Sequence, residues 1–100
     1  MKTYYADYVN HILRFYTRYA KRKKAGFHSK IDRLNYAAAD RVFSKLTPIE
    51  QNILTEVYTR RDTLGDNVFE VAKTKGISQD VIWALITTVS NSIAKERDLI

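Results

Sequence analysis

The chain has 100 residues, with 17 Lys and Arg against 11 Asp and Glu, a formal charge of +6, no Cys and a single Pro. That length can bury one modest core, and 45% hydrophobic with 28% charged residues is the balance of a folded chain, not of a disordered tail. The composition excludes disulfides and thiolate zinc sites, no apolar run nears the ~20 residues of a membrane span, and no signal-peptide core follows Met1. The expectation is one cytoplasmic domain over residues 1–100 that meets no membrane. One Pro and three Gly leave little material for hairpins, so the predicted class is all-α with about five helices.

The first helix is predicted from Thr3, as N-cap, to about Lys24. Tyr5, Val9, Ile12, Tyr16 and Tyr19 step by three or four and form a stripe, widened by Tyr8, Leu13, Phe15 and Ala20. A tyrosine stripe of this kind packs on its own domain with hydroxyls at the edge, serves as a homodimer or partner surface, or lies on a membrane; the phenols are too polar for deep insertion. The helix closes on Lys21, Arg22, Lys23 and Lys24. Part of that run suits the negative end of the helix dipole, and the rest reads either as a solvated end or as a phosphate-contacting patch. Gly26 to His28 form the predicted hinge.

Ser29 opens a second helix, with Asp32 three residues on as its box-like partner. Ile31, Leu34, Ala38, Val42 and Leu46 trace its expected buried face, with Phe43 beside them, and Ala37-Ala38-Ala39 allows close approach by the first helix. Residues 1–50 carry eleven Lys and Arg against four acids, whereas 51–100 carry six against seven. A basic half attracts polyanions, yet the charge sits mainly outside the second half of the chain.

A third helix begins at Thr47-Pro48-Ile49-Glu50, where Thr47 and Glu50 have capping-box spacing and Pro48 occupies the first helical position. Arg60 to Gly65 form a connector. Asp66 is the expected N-cap of a short helix carrying Val68, Phe69, Val71 and Ala72, which stops at Lys75-Gly76. Ile77 follows, then Ser78 as the N-cap of a longer helix with Ile82, Leu85, Ile86, Val89 and Ile93 on one face. Small Ala72, turn Gly76, and inward Ile77, Ile82 and Leu85 have the spacing of a helix-turn-helix.

From Leu46 onward, LTPIEQNILTEVY, DNVFEVAKTKGIS and VIWALITTVSNSIAKERDL resemble region four of bacterial sigma factors, and more widely the small sigma-like regulators of phages and mobile elements in Gram-positive bacteria. The resemblance divides the chain into a basic N-terminal helical pair, 1–46, packed on a region-four-like part, 47–100. The N-terminal pair lacks the aromatic-basic cluster with which sigma region two melts promoters, so the chain does not read as a complete sigma factor. The resemblance implies double-stranded DNA as partner, with RNA polymerase a second. It places Ser78, Gln79, Asp80, Trp83, Ala84 and Thr87 near base edges and Arg60, Arg61, Lys73 and Lys75 at phosphates. Gln pairs with adenine, Asp accepts from cytosine, and Ala and Thr methyls meet thymine methyls. The departure from the family is that this face carries no Arg or Lys before Lys95.

Catalysis finds no support in the residues. His11 and His28 have no metal-ligand spacing, and no phosphate loop, nucleophile elbow or HExxH occurs, so neither an enzyme nor a cofactor is expected. Two readings stand: a DNA-binding regulator of region-four type, and a protein-interaction module docking on RNA polymerase or another regulator through Trp83 or the tyrosine helix. Trp83 is either a core or edge residue packed against the first two helices, or an exposed aromatic that contacts DNA or anchors a protein partner.

Overall fold

The computed structural model describes residues 5–22 and 29–99, with side chains from 19 to 22 excepted. Five helices run in order: α1 (Ala6–Arg22), α2 (Lys30–Phe43), α3 (Pro48–Thr59), α4 (Leu64–Lys75) and α5 (Gln79–Glu96). No strand occurs among the described residues. Thr3, Lys23, Lys24 and the Gly26–His28 hinge lie outside them.

Local chemistry sets most of the boundaries. Ser29 accepts from the Asp32 N–H to start α2. At α3 the capping box is closed in both directions: Thr47 Oγ1 accepts from the Glu50 N–H, and Glu50 Oε1 accepts from the Thr47 N–H, with Pro48 at the first position. The start of α4 differs from expectation. Its N-cap is Thr63, whose hydroxyl accepts from the Asp66 N–H, so Asp66 stands inside the first turn and the connector shortens to residues 60–63. Thr63 and Asp66 repeat the spacing of Thr47 and Glu50, and an acid in the first turn is favoured by the helix dipole.

α5 packs against each of the other four helices, and α1 against α2, α3 and α5. The core between them contains Val9, Ile12 and Leu13 of α1, Leu54, Val57 and Tyr58 of α3, Val68 and Val71 of α4, and Ile82, Val89 and Ile93 of α5. Phe69, expected with the apolar face of α4, is 50% exposed. On α2 the buried stripe is Asn35, Ala38, Ala39, Val42 and Phe43, while Ile31 and Leu34 are 56% and 43% exposed. The stripe turns because Asn35 is a core-edge residue: its Oδ1 accepts from Tyr8 Oη (3.2 Å) and from Arg97 Nε (2.6 Å), which ties α1, α2 and the end of α5 together.

The tyrosine stripe of α1 serves the domain itself. Tyr5 donates to Asn91 Oδ1 (2.8 Å), Tyr16 donates to Asp40 (2.8 Å), and the Tyr16 ring packs on Tyr36 and Phe43. Tyr58 of α3 reaches back to Asn10 Oδ1 (2.9 Å). Burial, then the bond to Asp40, pushes the Tyr16 phenol well above its ordinary value of 10.0; burial does the same to Tyr58, with the Arg14 charge opposing.

The connector is held by one side chain. Asn67, buried in α4, directs Nδ2 at the carbonyls of Val57 (3.0 Å), Arg60 (3.3 Å) and Asp62 (3.2 Å), while its own Oδ1 is buried with no partner. Asn67→Ala strips donors from these carbonyls and should cost about 2 kcal/mol. A denaturant midpoint unchanged from wild type would refute that role. The raised phenols give a second expectation. Because the folded chain holds these protons more tightly than the unfolded chain, their contribution is complete below pH ~10 and is lost as pH rises beyond it. Unfolding midpoints between pH 9 and 11.5 should fall less steeply in Tyr58→Phe than in wild type; equal slopes would count against the assignment.

Candidate nucleic-acid interface

The turn between α4 and α5 is built by backbone geometry. Gly76 adopts φ 66°, and the N–H groups of Gly76 and Ile77 both return to the Ala72 carbonyl. This gives one carbonyl at the end of α4 two donors, and a side chain at Gly76 would be strained by the left-handed backbone although the space around it is open. Ser78 then accepts from the Asp80 N–H and starts α5. Buried Ala72 lies beneath the corner, Ile82 is fully buried, and Ile77 and Leu85 are half-buried.

The residues expected at base edges occupy one open surface. Ser78, Gln79, Asp80, Trp83, Ala84 and Thr87 are all exposed. Asp80, Ala84, Thr87, Asn91 and Lys95 follow one another at helical spacing along an outward ridge, opposite the buried Ile82, Ile86, Val89 and Ile93. Among the described residues the N-terminal pair does not cover the start of this ridge. Instead α1 and α2 lie along its two sides.

On the α1 side is a groove of about 350 Å³ that brings together Tyr5, Asn10, Leu64, Trp83, Thr87 and Asn91. Trp83, 37% exposed, forms part of its wall, so the indole is neither core nor fully solvated. Among the described residues the groove lining holds no charged side chain. On the α2 side is a second cleft of about 350 Å³ where Arg41, Lys45 and Lys95 meet the Thr88 and Ser92 hydroxyls.

The expected phosphate contacts are not equivalent. Arg61 and Lys73 are exposed, and Arg60 is half-buried at the end of α3. Lys75 is engaged: its ammonium sits 2.6 Å from Glu56 and 2.8 Å from Asn52 Oδ1, both on α3. That pair fastens the end of α4 to α3, and a phosphate would have to displace it. The side chains of Lys21 and Arg22, with Lys23 and Lys24, lie outside the described part of the chain. The outer surface of α4 and the start of α5 is net acidic, since Asp66, Glu70 and Asp80 stand against Lys73 and a Lys75 already paired with Glu56. Sequence reasoning missed the Arg41–Lys45–Lys95 grouping, whose members are separated by up to 54 positions and meet only through the packing of α2 on α5.

Among the described residues no group of His, Cys, Asp and Glu could hold a metal ion, and no helix is long and apolar enough to cross a membrane. Compared with protein families, curated proteins and solved structures, the chain finds no match. The single Trp of the chain makes the groove observable. Acrylamide should quench Trp83 emission readily in the free protein; emission resistant to quencher would contradict its placement in the groove wall.

Proposed function

We propose that the chain is a DNA-binding transcription regulator of sigma-region-four type, with α5 entering a groove of double-stranded DNA and basic residues holding the backbone. The observation that supports it is the open ridge of α5: the residues at and after the helix start reach solvent together, while α1 to α4 pack on the other faces. A recognition helix that meets base edges through its first turns requires that arrangement. Gln79, Ala84 and Thr87 have the chemistry to read adenine and thymine, and Asp80 to accept from cytosine N4. Arg61 and Lys73, exposed beside the helix-turn-helix, supply contacts that position without specifying.

One observation favours a second reading, in which the domain docks on RNA polymerase or another regulator. The half-exposed Trp83 lines a groove that is uncharged among the described residues, and aromatic side chains in such settings dominate protein interfaces. Under that reading a protein partner, and not DNA, shields Trp83 from quencher.

A salt series of binding to a labelled random duplex separates the two. Binding of micromolar affinity or tighter that weakens steeply with salt is expected. Arg61→Ala and Lys73→Ala should each lower affinity for every sequence and flatten the salt slope by about one. Gln79→Ala and Thr87→Ala should chiefly change which sequences are preferred. Uniform losses from all four substitutions would remove the readout role of α5, and no binding at low salt would leave the docking reading.

A further inference from the structure

Before Lys95 the open ridge of α5 lacks the positive charge that a DNA-reading helix ordinarily carries, yet charge is assembled at its far end. Arg41 and Lys45 of α2 and Lys95 of α5 border the same cleft, with the Thr88 and Ser92 hydroxyls on its wall. Val42 and Val89 are buried against the core beneath it, so the charges stand on an apolar floor that strengthens their field toward solvent. Glu96 is the acid of the cleft, and it is engaged by the Arg41 guanidinium. Among the described residues no carboxylate pairs with Lys45 or Lys95, and both are exposed.

Position adds to charge. Lys95 ends the same ridge that begins at Asp80, and the rise from Ala84 to Lys95 is roughly 16 Å. A helix whose first turns meet base edges in a major groove about 12 Å wide carries its last turns out over the groove's lip, where a sugar-phosphate strand runs. Lysine ammonium groups and serine or threonine hydroxyls are ordinary donors to phosphate oxygens.

We propose that the α2–α5 cleft is a phosphate clamp for the duplex that α5 reads, gripping backbone phosphates through Lys45 and Lys95 with Thr88 and Ser92 as hydroxyl donors. The proposal rests on the DNA-binding reading above and adds to it a contact made by the N-terminal pair. It gives α2 a direct part in recognition, because Lys45 fixes where along the backbone the end of α5 comes to lie.

The test uses the full chain with the double variant Lys45→Ala/Lys95→Ala, titrated against a random duplex between 50 and 200 mM salt. The salt slope should fall by about two, with roughly tenfold weaker binding at mid-range salt. The order of preferred sequences should stay as in wild type. Both residues are exposed, so thermal unfolding should not change, and Lys45→Arg/Lys95→Arg should keep the slope. A wild-type slope in the alanine double variant, while Arg61→Ala and Lys73→Ala still flatten it, would overturn the clamp and leave the DNA reading intact. Failure of the wild-type chain to bind duplex at low salt would overturn both. Displacement of the duplex by millimolar inorganic phosphate at constant ionic strength would also overturn it, by identifying a site for the free anion.

Discussion

Burial of one stripe of α5 is the constraint on which the rest of the structure depends. Ile82, Ile86, Val89 and Ile93 are buried, and the helix packs against all four others. Each such side chain contributes about 1.5–3 kcal/mol when withdrawn from water. Helices of 12 to 18 residues are marginal alone, so α3 and α4 depend on this shared seam as much as on their own caps. The seam also decides what is left over. With one stripe of α5 committed inward, the opposite ridge is presented to solvent by geometry, and any function read from α5 inherits its orientation from the core.

Charge and shape are then divided between different parts of the chain. The ridge is nearly uncharged through its first four turns, and on the neighbouring surface of α4 Asp66 and Glu70 outnumber Lys73, since Lys75 is already held by Glu56 and Asn52. Positive charge belongs to the N-terminal half, and the packing of α2 along α5 carries part of it to the end of the ridge. Packing of α2 on α5 thus adds Arg41 and Lys45 to Lys95, the cation that the second half itself supplies at that end.

Features governed by neighbours in sequence are legible without the fold. The caps at Ser29, Thr47 and Ser78, the Gly76 corner, the inward isoleucines of α5 and the open face opposite them follow from local spacing. What is illegible depends on partners far along the chain. Asn35 takes a core position because Tyr8 and Arg97 satisfy its amide, and no periodicity in α2 announces that. Asn67 is buried because one carbonyl of α3 and two of the following connector need a donor. The start of α4 differs from the expected one because Thr63 and Asp66 both make acceptable caps, and only the bond between them decides which one acts. At the candidate interface, exposure of the ridge is readable, whereas the pairing of Lys75 and the Arg41–Lys45–Lys95 cleft require tertiary structure.

The tyrosine–asparagine bonds have a consequence for uniqueness that their modest energies conceal. Tyr5 with Asn91, Tyr8 with Asn35 and Tyr58 with Asn10 join α1 to three different helices. An apolar stripe repeating every three or four residues would tolerate sliding by one helical turn, because apolar surface uncovered at one end is covered again at the other. Phenol–amide pairs do not tolerate it. A one-turn slip moves α1 about 5.4 Å and separates all three at once, stranding polar groups against the core. These bonds therefore act as a vernier: hydrophobic burial brings α1 to the bundle, and the amides select the single register in which it stops.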